Sequence, residues 1–377
     1  MTAGRRVEAR VDDEHTAALR TEVRAFLADA LRAGHYRPVV NGWMSGWDLE
    51  FSQRLAAAGY IGMTIPEQYG GRGRSFLERF VVNEELLAAG APVAAHWFAD
   101  RQVAPALLAA GSPAQKAQLL PRIAAATTTF AIGMSEPDSG SDLASVATRA
   151  EPVDGGWRLR GTKVWTSGAH RADCILLIAR TTPRDPAARH DGLSQFLLRL
   201  DTPGVMVRPI ISMDGRHHFN EVILDDVLVP PDAVLGVVGR GWQQVTAELG
   251  YERSGPERYL STHLLLEDWA AATRGGRDHA ELGRFVGRMR ALHALSMGVA
   301  QAFSSGLDAT TSAGMVKMLG TTTEGDLVEH LAHTDQITDA AARDRLHEAL
   351  LLRAGFTLRG GTNEILRGVA AREVGLR

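Results

Sequence analysis

Cysteine is almost absent from this chain of 377 residues, with Cys174 the single example. One thiol cannot close an internal disulfide or build a cysteine-rich zinc site, and such usage fits a reducing compartment. Cys174 opens the apolar run Cys-Ile-Leu-Leu-Ile-Ala (174 to 179), so it reads as a small buried hydrophobe and not as a nucleophile. Long apolar runs are missing too: nothing approaches the roughly 18 uncharged residues of a membrane span. The opening MTAGRRVEARVDDEH mixes acids and bases before any apolar stretch, unlike a secretory signal. The cytoplasm is the expected location. Neither sign of charge dominates, since 41 basic residues face 44 acidic ones for a formal charge of -3. No general cationic field exists to hold nucleic acid. Lysine is scarce, only Lys116, Lys163 and Lys317, a bias that carries no mechanism.

What the chain does have is length and apolar content: 45% of its residues are hydrophobic, which excludes general disorder. The length predicts two or three domains. From about residue 14 to 125 apolar positions recur at helical spacing, as in Leu19, Val23, Phe26, Leu27 and Leu31, then Phe80, Val81, Leu86 and Leu87. Pro113 followed by Gln115-Lys116 reads as a helix start. After Pro121 the character changes. Residues 157 to 160 and 163 to 165 alternate, and 174 to 179, 193 to 200, 205 to 210 and 221 to 230 are short β-rich runs between turn clusters. Beyond the glycine-rich stretch 236 to 241 the helical period returns through Trp242, Val245 and Leu249, then Leu282, Phe285, Val286 and Met289, then Leu346, Leu350 and Leu351. The pattern predicts an α+β chain: an N-terminal helical domain (1–125), a middle domain built on an antiparallel sheet or barrel (126–236) and a C-terminal helical domain (237–377). The loop 181 to 192 is the expected mobile insertion.

Several familiar sites are also missing. There is no G-x-x-x-x-G-K-[ST] loop, no G-x-G-x-x-G opening a strand-turn-helix unit, no H-E-x-x-H and no G-x-S-x-G. The pairs His217-His218 and His330/His333 lack the third and fourth donors that a metal site needs. More informative is Phe130-Ala-Ile-Gly-Met-Ser-Glu-Pro-Asp-Ser-Gly-Ser-Asp142, whose second half is a turn of small hydroxyls and exposed N–H groups suited to phosphate or a polar tether. Some twenty residues on, Gly161-Thr-Lys-Val-Trp-Thr-Ser-Gly168 puts Trp165 and two hydroxyls at a strand end, where an indole wall and edge donors suit a planar heteroaromatic ring.

These strings occur in an order that carries a resemblance. Residues 135 to 142, 161 to 168, Phe-Asn-Glu-Val-Ile-Leu-Asp-Asp-Val-Leu-Val-Pro (219 to 230), Gly-Arg-Gly-Trp (239 to 242) and Arg-Gly-Gly-Thr-Asn-Glu-Ile-Leu-Arg (359 to 367) resemble the flavin-dependent acyl-CoA dehydrogenase family across nearly the whole chain. Ile-Pro-Glu-Gln-Tyr-Gly-Gly-Arg-Gly (65 to 73) resembles its N-terminal turn. The resemblance implies a C-terminal four-helix bundle and FAD, with a CoA or carrier-protein thioester against the flavin. It implies an electron-transfer flavoprotein or similar acceptor, and a homodimer, homotetramer or a heterotetramer with a homologous chain. It places Ile132, Met134, Ser135, Trp165 and Ser167 about the flavin ring, Gly140 at the pyrophosphate and Ser141 at the pantetheine. Thr362 and Glu364 fall at positions that reach the adenine half.

Some positions depart from the family pattern. Dehydrogenation needs a carboxylate to take the α-proton while the β-carbon gives up hydride. Many members carry that base just before a Gly-Thr near the C-terminus, and here that position is Gly360. A second family arrangement places a glutamate before an arginine on the first long C-terminal helix, which here is Tyr251-Glu252-Arg253. Glu252 is therefore the candidate base, Arg253 its substrate-side neighbour, and Gly360 the opening opposite. Read without the family, Glu248 and Glu252 are a solvated helical stripe. His279 and Leu282 stand where many relatives carry an arginine and a phenylalanine that meet FAD from a neighbouring subunit, and no Gln-x-x-Gly-Gly occurs between Met315 and Leu352. Two other readings stay open: a flavin monooxygenase or oxidase of the same fold, and a non-catalytic subunit of a heteromeric dehydrogenase.

Overall fold

The computed structural model describes residues 14–273, 279–373 and 375–376. They form two compact units, each assembled from separated stretches of chain. Among these residues no helix is long and apolar enough to cross a membrane.

One unit takes residues 48–73 and 94–248. Helices α1 (Glu14–Arg32) and α2 (Gly42–Ser45) precede it in the chain. The unit opens with α3 (Leu49–Ala57), and after α4 (Phe76–Ala88), which belongs to the other unit, it continues with α5 (Ala94–Phe98), α6 (Ala104–Ala110) and α7 (Pro113–Ala124). The start of α7 follows its sequence: Ser112 and Gln115 form a reciprocal capping box and Pro113 occupies the first turn, where its missing N–H costs nothing. The helix runs on through Pro121 to Ala124, so the change from helix to strand comes a few residues later than the sequence pattern suggests.

The sheet of this unit has eight strands: β1 (Phe130–Gly133), β2 (Arg149–Val153), β3 (Gly156–Ser167), β4 (Cys174–Arg180), β5 (Leu193–Arg199), β6 (Val205–Ile211), β7 (His217–Val229) and β8 (Val234–Leu235). Their order is β6-β7-β3-β2-β4-β5-β8, with β1 paired to β4. Most pairings are antiparallel, as the short linked runs imply, but β1 and β2 both meet β4 in parallel. The sheet is therefore mixed where the sequence reading had it antiparallel. Strand β4 is buried at every position from Cys174 to Arg180, because it has covered faces on both sides. Leu177 packs in the cluster with Phe196 and Val222, while Cys174 and Leu176 pack with Leu107 and Leu120 of the helices and Phe130 of β1. Each such leucine or isoleucine contributes about 1.5–3 kcal/mol by leaving water. The loop 181 to 192 contains a 3-10 turn, Pro186–Ala188, and is tied down where Arg180 Nη1 donates to the Asp191 carbonyl at 3.0 Å.

The other unit takes the described residues up to Trp47, then 74–93 and those from Leu249 onward. It holds α1, α2, α4, the last turns of α8 (Gly241–Ser254) and the helices α9 (His263–Ala272), α10 (His279–Ser304), α11 (Thr310–Ala332), α12 (Ala340–Phe356) and α13 (Asn363–Glu373). Leu265, Trp269, Phe285, Leu327, Val328 and Phe356 are its core. Leu346 packs on that core, but Val286, Leu350 and Leu351 are exposed, so part of the apolar period faces outward. His330 lies against Trp269 and Phe285, and His333 contacts the Glu329 carbonyl.

Candidate functional site

The sheet unit places the hydroxyl-rich turn and the tryptophan strand through one irregular pairing. Along β3 and β7, Lys163 pairs with Val222 and Thr166 with Asn220, so β3 carries one extra residue between them. This is a β-bulge, a device that re-aims a side chain. Trp165 lies in it with φ 58°, a conformation that bulky residues seldom adopt. Its indole stands 59% exposed and touches the Phe219 ring edge-on at 5.7 Å. The bulge also frees the Val164 N–H, which donates to the Ser135 carbonyl at 2.9 Å. One local defect thus presents Trp165 and anchors Ser135.

Beneath that turn is a buried ion pair. Lys163 Nζ donates to Glu136 Oε1 at 2.7 Å and to the Met134 carbonyl at 3.3 Å, and Glu136 accepts the N–H groups of Ala147 and Thr148 at 2.6 and 3.0 Å. Burial alone would raise the Glu136 carboxyl, but the Lys163 charge and the hydrogen bonds outweigh it and hold it below its usual range. Burial pulls the Lys163 ammonium down to about 8 against the attraction of Glu136. Both residues lie inside the strings that carry the family resemblance, yet sequence reading assigned neither a role. A basic residue two before Trp165 and an acidic one just after Ser135 were the available signal.

Ile132, Met134 and Ser135 are half-buried, while Gly140 and Ser141 are exposed. A Cβ at Gly140 would meet nothing within 4 Å, so the backbone there can be approached closely. Ser167 ends β3, half-buried and paired with Phe219. A largely exposed indole, small hydroxyls and an open Gly140-Ser141 backbone fit a flavin nucleotide in their chemistry.

Glu252 and Gly360 meet in the helical unit. Glu252 lies in the last turn of α8, its side chain only 18% exposed. Arg258, fully buried, donates Nε and Nη2 to the Glu252 carbonyl at 3.0 and 2.7 Å and Nη2 to Glu252 Oε1 at 3.0 Å. Gly360 has φ 71°, and a Cβ there would fall 3.0 Å from Arg258 Nη2 and 3.1 Å from Glu252 Oε1. Arg253 Nε donates to the Gly360 carbonyl at 2.9 Å. Desolvation lowers the Arg253 guanidinium below its ordinary value, with the Glu252 charge opposing. Buried Lys317 donates to the Thr357 carbonyl and to Asn363 Oδ1, both at 2.8 Å, tying α11 to both ends of the glycine turn.

The solvated-stripe reading of Glu248 and Glu252 is thereby corrected. Glu248 is buried and accepts from Gln195 Nε2 at 2.8 Å, and Glu252 is held by Arg258. Partners outside the helix, Gln195 and Arg258, bond these two glutamates, which a polar pattern within the helix does not reveal. Thr362 and Glu364 begin α13: the Thr362 hydroxyl accepts from the Ile365 N–H at 3.3 Å, and Glu364 is exposed. The Glu364 carboxyl sits below its usual range because its own backbone N–H and the Thr362 hydroxyl bond it. Arg258 and Lys317 were missed in the sequence, since nothing in spacing marks which cation a fold will bury.

Comparison with known proteins shows the family and the fold. The acyl-CoA dehydrogenase N-terminal domain matches residues 13–127 and the acyl-CoA dehydrogenase middle domain residues 131–227. Acyl-CoA dehydrogenase IpdE1 of Mycolicibacterium smegmatis is 33% identical over 94% of this chain and 96% of its own. Acyl-CoA dehydrogenase IpdE1 of Mycobacterium tuberculosis is 42% identical over 241 residues, an alignment that spans 62% of each protein. Among solved structures, the Tcur3481-Tcur3483 steroid ACAD superposes with a TM-score of 0.84 at 29% identity, covering 98% of both chains. The chain belongs to the acyl-CoA dehydrogenase family of FAD-dependent oxidoreductases.

Proposed function

We propose that this protein binds FAD and catalyses α,β-dehydrogenation of an acyl thioester, with Glu252 as the base. The observation that supports it most is the carboxylate of Glu252, fixed by Arg258 and lying so close to Gly360 that a side chain at 360 would crowd it. Relatives named as acyl-CoA dehydrogenases make a CoA thioester the first substrate to test. Bound FAD supplies the hydride acceptor for the substrate β-carbon. Glu252 takes the α-proton on a carboxylate oxygen, and the thioester carbonyl must be hydrogen-bonded to acidify that C–H. Trp165 walls the flavin ring, Ser135, Ser167, Ile132 and Met134 line it, and Gly140 and Ser141 let the pyrophosphate and pantetheine approach the backbone. Thr362 and Glu364 meet the adenine half, and Arg253 holds Gly360 against the thioester. The bounds 1–125, 126–236 and 237–377 delimit the three family domains in this reading, and the cytoplasm is the compartment it assigns.

Incubating the purified protein with FAD and saturated acyl-CoAs of graded length and branching tests the proposal. Formation of the 2-enoyl thioester with an electron-transfer flavoprotein or artificial acceptor, independent of oxygen, is the expected result. Oxygen-dependent oxygenation of the substrate would favour the monooxygenase reading. A heteromeric assembly is a second reading with its own support. His279 is exposed and Leu282 packs on the core of its own helical unit, in place of the arginine and phenylalanine expected toward a neighbouring subunit. The similar Tcur3481-Tcur3483 steroid ACAD is named for two proteins. Failure of the isolated chain to retain FAD, with recovery on adding a homologous chain, would decide for it.

A further inference from the structure

We infer that Arg258 is a positioning residue for proton abstraction, holding the Glu252 carboxylate beside Gly360. The inference rests on the reading of Glu252 as the base. The Arg258 guanidinium bonds the main chain and the side chain of one residue. Both Nε and Nη2 grip the Glu252 carbonyl, a main-chain oxygen in the last turn of α8 that no further helical turn would satisfy, and Nη2 reaches Oε1 of the same residue. One guanidinium thus fixes the backbone from which the base springs and the carboxylate itself. A planar fork can do this, and a lysine ammonium can do only one part of it.

The guanidinium is braced on its other sides. Its plane lies over the Trp43 ring at 5.2 Å, and the same ring carries Arg359 at 4.6 Å. Arg258 Nε lies 3.2 Å from Glu257 Oε1, and both side chains are wholly buried. The Arg258 backbone carbonyl is packed so tightly against α11 that a Cβ on Gly320 would fall 2.4 Å from it. Arg258 therefore has little freedom to follow a displaced Glu252. Its Nη2 would lie 3.0 Å from a Cβ on Gly360, so the same group packs closely against the glycine turn beside the carboxylate. The other charges about Glu252 are Arg253, Glu257 and Lys317. Arg253 is engaged with the Gly360 carbonyl and Lys317 with Thr357 and Asn363, while Arg258 donates directly to the carboxylate.

An acyl-CoA with sulfur in place of the β-carbon isolates the step, because it can lose its α-proton but cannot give hydride. Exchange of that proton with deuterium oxide, followed by NMR, is compared for the unaltered protein, Arg258→Gln, Arg258→Lys and Glu252→Gln, with thermal unfolding and FAD content measured on each. The expected result is exchange slowed about 10- to 100-fold in Arg258→Gln. Binding of the analogue should change less than threefold, and Arg258→Lys should recover part of the rate. With an α-deuterated substrate, the isotope effect on turnover should rise in Arg258→Gln, a change that mere loss of folded protein cannot produce. If Arg258→Gln does not fold, the same isotope effect is read on Arg258→Lys. Glu252→Gln that stops exchange, with Arg258 variants that exchange at the original rate and with an unchanged isotope effect, overturns the positioning role and spares the base. Exchange that survives Glu252→Gln overturns both.

Discussion

Lys163 Nζ lies 2.7 Å from Glu136 Oε1, and neither side chain is more than 6% exposed. Glu136 spends its remaining capacity on the N–H groups of Ala147 and Thr148, so the pair ties the turn after Ser135 to the bulged strand that carries Trp165. Removing one partner leaves an uncompensated buried charge, which costs about 3–5 kcal/mol. Glu136→Gln or Lys163→Met alone should lower unfolding free energy by that order in denaturant titrations, and FAD retention should fall with it. The double variant should recover part of the loss, and additive losses would show that the two groups act separately.

Trp165 makes the opposite prediction. An indole 59% exposed in a left-handed conformation contributes little to folding, because most of its apolar surface stays in water. Trp165→Ala should leave the stability of the FAD-free protein within about 1 kcal/mol of the original. FAD binding, measured by fluorescence titration, should weaken by at least tenfold. A large loss of folding stability with unchanged FAD affinity would mean that the indole serves the sheet and not the flavin.

Gly360 is constrained twice. An alanine with φ 71° costs about 1–2 kcal/mol, and its Cβ would press on Arg258 Nη2 and Glu252 Oε1. Gly360→Ala should therefore lose about that much stability, and its turnover should fall about 10- to 100-fold through a displaced carboxylate. Chemical denaturation and steady-state rates at full FAD occupancy check both. A stability loss without a rate loss would remove Gly360 from the catalytic side.

His96 supplies a pH dependence. It is fully buried on α5, with Nδ1 2.9 Å from Ser52 Oγ, and desolvation pushes it down to about 3. In the unfolded chain a histidine takes up its proton near pH 6.5, whereas the folded one stays neutral until about pH 3. Between those values the unfolded state binds more protons, so stability falls as pH falls, by up to about 1.4 kcal/mol per pH unit from this residue. Comparing unfolding free energies at pH 7 and pH 5 for the original protein and His96→Gln isolates the effect. The original should lose about 2 kcal/mol more than the variant over that interval.

Much of this was legible in sequence, and the limits have physical causes. Periodicity is local, so α7, β4, β5 and β6 fall within one or two residues of the runs that announce them. Burial of Cys174 followed from the apolar run it opens. Pairing between distant segments is not local, and the parallel contact of β1 with β4 left no mark in either strand. The same holds for His217, which reads as a neighbour of His218 but stacks at 3.7 Å on His170. Of the residues proposed to act, Trp165, Glu252 and Gly360 were visible through family strings. The groups that hold them, Lys163, Glu136 and Arg258, became visible only when the fold had buried them.

The most direct test of the account is anaerobic reduction of the FAD-loaded protein by a saturated acyl-CoA. The visible absorbance band of the oxidised flavin should bleach with the original protein and remain with Glu252→Gln, while both bind FAD and thioester with similar affinity. Bleaching that persists at the original rate in Glu252→Gln would contradict the assignment of Glu252 as the base.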